Sequence, residues 1–126
     1  MTVIARWQDY AERGDPALLD ALIAEDAVFQ SPAVHSPQVG KAITLKYLRA
    51  AMVVLNNESF RYLGEWIGPD SAVLEFETEM DGLTVNGVDM IWWNEAGQIT
   101  RFKVMVRPLK ALNALVARMA AELGRG

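Results

Sequence analysis

Hydrophobic and polar residues recur along this chain with a helical period first and an extended period afterwards. Over residues 3–13, Ile4, Trp7, Tyr10 and Ala11 fall at spacings of three and four, which predicts an amphipathic helix. Gly14 suits the position just past its end. Asp15 suits the N-cap of a second helix over 16–24, and Pro16 sits where a first turn needs no N–H donor. Leu18, Leu19, Leu22 and Ile23 give that helix its apolar side. Residues 26–31 read as a strand stopped by Pro32, residues 32–40 as a loop, and residues 41–55 as a helix striped by Ile43, Tyr47, Ala50, Ala51 and Val54. From there the period becomes two. Strands are predicted over 59–67, 71–80, 84–94 and 98–107, and the short turns between them predict an antiparallel meander. Pro108 opens a last helix carrying Leu109, Leu112, Leu115, Val116, Met119 and Leu123 on one side. Helices followed by strands and one more helix predict an α+β fold and not alternating βαβ units.

Alternation also sorts the strand side chains by face. Ala72, Leu74, Phe76, Thr78 and Met80 share one face of their strand, opposite Glu75, Glu77 and Glu79. Phe102, Val104 and Val106 oppose Arg101, Lys103, Met105 and Arg107. The apolar faces are expected to turn toward the helices. The acidic and basic rows then lie on the outer face, with Val88, Met90 and Trp92 between them. Such a surface suits a charge-complementary dimer, and it also suits an ordinary solvated sheet with screened charge pairs.

The residue out of place is Asp89, which alternates with Val85, Gly87, Ile91 and Trp93. If that face is the inner one, a carboxyl group lies among apolar side chains. Its pKa must then rise, or it must find a donor. Held neutral, it could donate to a developing oxyanion; ionised, it could act as a base. It could equally be a structural group bonded to the Trp7 N–H, a tyrosine hydroxyl or water. A bulge near Gly87 would turn it outward.

Composition removes several alternatives. The chain has 126 residues, enough for one domain over 1–126, and it is 52% hydrophobic and 22% charged, as globular proteins are. A net charge of -4 gives no support for nucleic-acid or anionic-membrane binding. There is no cysteine and one histidine, His35, and no ligand cluster at metal spacing, so neither a metal nor a cofactor is expected. No apolar run matches a membrane span and the start does not read as a signal peptide; a cytoplasmic location is the expectation. No nucleophile elbow, phosphate loop or nucleotide fingerprint is present.

Three segments together resemble a known family. The first is Ala11-Glu12-Arg13-Gly14-Asp15, with Leu18–Leu22 and Glu25-Asp26-Ala27-Val28-Phe29 after it. The second is Ser31-Pro32, with Gly40 opening the next helix, and the third runs from Val88 to Ile99 through Trp92-Trp93-Asn94. In order and spacing they resemble the NTF2-like superfamily, which includes SnoaL-like polyketide cyclases, ketosteroid isomerases and limonene-epoxide hydrolases. The resemblance implies a cone-shaped curved sheet wrapped by helices around an apolar pocket, often as a homodimer. Set against ketosteroid isomerase, Asp89 falls at the protonated Asp of the oxyanion hole, Ser31 at the general base, and Trp7 at the oxyanion-hole Tyr. One position of three matches, which argues against that mechanism. The active-site Asp that epoxide hydrolases carry late in the sheet falls near Val104, and no inward Arg is found to pair with Asp89.

The expected pocket has Trp7, Phe76, Ile91, Trp93, Phe102 and Val104 as walls, with Tyr10 and Tyr47 adding to them from the helices. Asp89 is the candidate catalytic group and His35, in the loop at the mouth, a weaker one. Two functions stay open for a small hydrophobic ligand. One is a cofactor-independent isomerase, cyclase or hydrolase acting on a hydrophobic carbonyl or polycyclic compound. The other is a binding or sensor protein with the same pocket. A protein-interaction dimer module using the outer sheet face is a third.

Overall fold

The computed structural model describes residues 1–125; Gly126, at the end of the expected domain, lies outside the described residues. The elements are α1 (Val3–Arg13), α2 (Pro16–Leu22), β1 (Ile23–Gln30), β2 (Gln38–Val39), α3 (Lys41–Leu55), β3 (Arg61–Ile67), β4 (Ser71–Met80), β5 (Leu83–Trp93), β6 (Ile99–Arg107) and α4 (Leu109–Leu123). This is the α+β architecture expected, with a six-stranded sheet in the order β2-β1-β6-β5-β4-β3. None of the helices is long and apolar enough to cross a membrane.

Local chemistry sets the N-terminal elements. Thr2 caps α1 by accepting from the Ala5 N–H at 3.1 Å, and Gly14, at φ 67°, ends the helix by donating its N–H to the Tyr10 carbonyl. Asp15 caps α2 through the Ala17 N–H with Pro16 at the first turn, as the sequence predicts. The second helix is shorter than expected. Ile23 and Ala24 already belong to β1, where both are buried.

The meander of β3 to β6 is antiparallel throughout, and β1 then joins β6 in parallel. That parallel pairing needs the chain to cross over, and α3 makes the crossing while packing on β1 and α4. Because α3 is covered on two sides, its buried residues are Thr44, Leu45, Leu48, Ala50, Val54 and Leu55. The predicted single stripe is therefore corrected: Ile43, Tyr47 and Ala51 are only half-buried. Helix α4 buries Ala111 and Leu115, whereas Leu109 and Val116, expected on its inner side, are exposed.

The inner face of the sheet is the one alternation predicted. Ala72, Leu74, Phe76, Thr78 and Met80 on β4 are all buried, as are Val85, Asp89 and Ile91 on β5 and Phe102 and Val104 on β6. β4 and β5 stay in register from Ser71↔Trp92 to Met80↔Leu83, with no bulge at Gly87, so Asp89 faces inward opposite Leu74. Irregularities occur elsewhere. One between Tyr62 and Gly64 on β3 lets Leu63 bulge, and one in the β5–β6 ladder separates Trp92 from Trp93.

Gly87 lets the sheet bend closely around Phe76. A Cβ at this position would lie 2.5 Å from the Met105 carbonyl oxygen and 2.6 Å from the Phe76 ring. Backbone on one side and a packed aromatic on the other leave no room to relax. Gly87→Ala is therefore expected to lower stability by about 1–3 kcal/mol, measured by urea unfolding. A variant as stable as the parent would show that Phe76 is free to move.

Candidate functional site

The helices and the concave side of the sheet enclose a cavity of about 200 Å³. Its floor is made where β3, β4, β5 and β6 lie side by side: Tyr62, Phe76, Asp89, and Phe102 with Val104. Trp7 and Tyr10 close one side from α1, and Tyr47, Leu48 and Met52 close another from α3. Leu115, Met119 and Leu123 reach over it from α4, and Ser31 to Val34 form a rim. Aromatic rings pack into two walls, one with Trp7 4.8 Å from Phe102 and the other with Phe60 5.5 Å from Phe76 between centroids.

Asp89 is the only charged side chain lining this cavity among the described residues. Three groups form a chain there. The Trp7 indole N–H donates to the Tyr62 hydroxyl oxygen at 2.8 Å, and the Tyr62 hydroxyl donates to Asp89 Oδ2 at 2.9 Å. Among the described residues no other donor reaches the carboxyl. No fully enclosed side-chain oxygen or nitrogen among the described residues lacks a partner, so Asp89 Oδ1 opens on the cavity. Burial lifts the Asp89 pKa to about 7, against a smaller downward pull from the Tyr62 hydrogen bond. Tyr62 is pushed well above its usual value by burial and by the neighbouring carboxyl, which keeps the phenol proton on the tyrosine. Tyr10 is raised by burial as well, partly offset by Arg49. A carboxyl that titrates near neutrality can accept a proton and give it back under the same conditions.

The expected site residues divide into two groups. Trp7, Tyr47, Phe76, Phe102, Val104 and Asp89 all line the cavity. Ile91 and Trp93 do not: Ile91 is sealed in the core between Ala72 and Phe102, and Trp93 stands at the end of β5, beyond the part of the sheet the helices leave open. His35 is exposed on the 32–37 loop, and the rim is made by Ser31, Pro32, Ala33 and Val34 in its place. Ser31 points its Oγ at the Ala33 N–H, 3.0 Å away. Trp7 was a possible direct partner of Asp89, but Tyr62 stands between them. Tyr62 is the cavity residue beside Asp89 that sequence reasoning missed, along with Phe60 and Phe29 in the wall. The available signal was the aromatic pair Phe60 and Tyr62 at a spacing of two, before the bulge breaks the alternation.

Comparison with known proteins agrees with this architecture. A family model described as a SnoaL-like domain matches residues 4–102. Among solved structures, the chain is similar to a steroid Δ-isomerase from Pseudomonas aeruginosa at 34% identity and a TM-score of 0.91, covering 98% of this chain and 90% of that one. It is also similar to a protein with a cystatin-like fold from Silicibacter pomeroyi, at 35% identity, TM-score 0.86, and coverage of 94% and 83%. An epoxide hydrolase/cyclase-like enzyme of pyran ring formation in salinomycin shares the fold alone, at 18% identity, TM-score 0.67, and coverage of 83% and 88%. No curated protein matches the chain.

The raised pKa makes Asp89 a source of pH-dependent instability. In the unfolded chain the carboxyl ionises near 3.8, whereas in the folded chain it keeps its proton up to about 7. Between these values the folded state binds more protons than the unfolded state, so stability falls as pH rises from about 4 to about 7 and then levels off. Asparagine carries no such charge. Asp89→Asn is expected to gain stability relative to the parent over that interval, by on the order of a few kcal/mol, in urea unfolding followed across pH. A stability difference that stays constant with pH would show that the carboxyl is not held protonated.

Proposed function

The chain belongs to the SnoaL-like domain family of the NTF2-like superfamily, and on that premise we propose that it is a cofactor-independent enzyme. Its substrate is a small hydrophobic carbonyl compound that enters the cavity, and Asp89 moves the proton. The observation that carries this reading is a single carboxyl, set in an apolar cavity with Oδ1 open and a pKa of about 7. Ionised, Asp89 removes a proton from the carbon beside the carbonyl; protonated, it returns that proton to another carbon of the same conjugated system. The cycle closes without a co-reactant, so isomerisation, or the ring closure of an enol, is the chemistry that one such group can run. The steroid Δ-isomerase at 34% identity supports this class of reaction. Ser31, at the rim, supplies no base, which argues for one carboxyl in both roles and not for a base working with a separate oxyanion acid.

Binding without chemistry is the second reading. What favours it is that the Trp7–Tyr62–Asp89 chain is already hydrogen-bonded within the protein. The two readings separate on Asp89→Asn, assayed with a panel of enolisable and β,γ-unsaturated hydrophobic ketones. An enzyme is expected to lose kcat by about 10²–10⁴-fold while folding normally. Undiminished turnover in that variant would remove Asp89 from the chemistry.

The proposal extends to the assembly. The whole chain acts as one domain in the cytoplasm, a setting its lack of cysteine fits, and pairs as a homodimer through the outer sheet face. Trp66 and Met105 are more than half exposed on that face, and Met90 and Trp92 lie half-buried among them. Glu75, Glu77 and Glu79 of β4 and Arg101, Lys103 and Arg107 of β6 flank β5, so two copies related by a twofold axis can set each acidic row against the other's basic row. Arg101 also lies 4.2 Å over the Trp92 ring. Met105→Glu puts an acid in the basic row, and sedimentation of this variant is expected to show monomers where the parent shows dimers. Self-association that survives it would count against this face.

A further inference from the structure

The cavity floor holds three polar groups on three separate elements, Trp7 on α1, Tyr62 on β3 and Asp89 on β5, and their hydrogen bonds run in one direction. The indole has one N–H, and Tyr62 takes it. The phenol has one proton, and Asp89 Oδ2 takes it. Neither residue has a donor left for a ligand.

We infer that Trp7 and Tyr62 are positioning residues: they fix the Asp89 carboxyl by its Oδ2 edge and leave Oδ1 as the one hydrogen-bonding contact offered to a ligand on the cavity floor. Two consequences follow from the geometry. First, the ligand is held at the floor by a single hydrogen bond. A molecule with one oxygen function on an apolar skeleton fits, whereas a second polar group at that end meets aromatic rings. Second, the Tyr62 proton stabilises the ionised carboxylate, and the Trp7 N–H strengthens Tyr62 as a donor. The pair therefore holds Asp89 lower on the pH scale than its apolar surroundings would. Without them its pKa would lie higher and less of the carboxyl would be ionised at neutral pH, which weakens it as a base.

Few other groups compete for this control. Among residues lining the cavity, α1 brings Tyr10, α3 brings Tyr47 and β3 brings Tyr62 as titratable groups. β4, β6 and α4 bring apolar side chains only, the rim adds the Ser31 hydroxyl, and the end of α3 adds the Asn56 amide, whose Nδ2 donates to the Ala11 carbonyl. Arg101, Lys103 and Arg107 of β6 belong to the opposite face of the sheet.

The inference rests on Asp89 being the group that meets the ligand, but its test needs no substrate. The Asp89 carboxyl is followed by carbon NMR through a pH titration of the full chain carrying labelled aspartate, with Asp89→Asn used to assign the signal. In Tyr62→Phe the midpoint is expected about one pH unit or more above the parent. In Trp7→Phe, where Tyr62 still donates, it is expected to rise by less. A purely structural role would change stability in these variants and leave the midpoint where it was. Should Tyr62→Phe fail to fold, Trp7→Phe carries the test alone, because its expected rise has the same sign. Midpoints that do not move overturn the positioning role, even if Asp89→Asn abolishes turnover. Conversely, undiminished turnover in Asp89→Asn sinks the catalytic reading, even if the midpoints shift as expected.

Discussion

Placing a carboxyl on the inner face of a curved sheet is the constraint around which this molecule is organised. Asp89 has Leu74 beside it on β4 and Val104 beside it on β6, both buried and apolar, so neither neighbouring strand offers a side-chain donor. An ionised carboxylate in such surroundings costs several kcal/mol, which is why its pKa moves to about 7. Relief comes from two elements farther away. Tyr62 reaches it across β4 from the edge strand β3, and Trp7 braces Tyr62 from α1. One chain of hydrogen bonds thus ties the first helix to the edge strand and to the centre of the sheet. It also keeps the cavity beneath them from collapsing into ordinary core, because the carboxyl's free oxygen needs a polar partner or open space.

The shape of the cavity follows from what surrounds that chain. Gly87 allows the Phe76 ring to lie against the backbone of β5, and Phe60 stacks on Phe76. These rings wall the floor on one side, while Phe29, Phe102 and Trp7 form the other wall. Helix α4 then lies over the opening with only Ala111 and Leu115 fully buried, and is tied to the β4–β5 turn by the Arg118–Asp81 ion pair at 2.7 Å. That pair is half exposed at both partners and so adds little to stability. The cover is held mainly by apolar contacts, and a helix held in this way can give way to admit a ligand without breaking a buried polar contact.

How much of this could be read from the sequence depended on how regular each element is. β5 alternates strictly through Val85, Gly87, Asp89 and Ile91, and its pairing with β4 never slips, so the inward carboxyl was legible from parity alone. β3 is the opposite case. The bulge at Leu63 puts Tyr62 on the same face as Phe76, but moves Glu65 and Ile67 onto that face as well, beside Leu74 and Ala72. No period-two reading could carry through it, so a tyrosine hydroxyl was among the expected partners of Asp89 but Tyr62 could not be singled out. The parallel pairing of β1 with β6 joins Phe29 to Phe102 across most of the chain, and no local pattern encodes it. Ile91 and Trp93 show a further limit. Parity correctly gave their face, but where the helices stand off from that face is a matter of packing, and it leaves a cavity at Asp89 and solid core at Ile91.

The departures from the isomerase pattern are not independent of one another. On the proposed reading Ser31 supplies no base, so a single carboxyl would have to serve as both acid and base, and that requires a pKa near the working pH. A carboxyl in an apolar cavity with no donor would have a pKa higher still and be a poorer base at neutral pH. A carboxyl with several donors would be ionised and useless as an acid. One donated hydrogen bond, from Tyr62, lies between these extremes: burial raises the pKa to about 7 while that bond pulls it down. A tyrosine in place of Trp7 would bring a further phenol proton beside those of Asp89 and Tyr62. The indole braces Tyr62 without adding a group that titrates, and the Ser31 hydroxyl adds none either, so Asp89 stays the one carboxyl among the described residues lining the cavity.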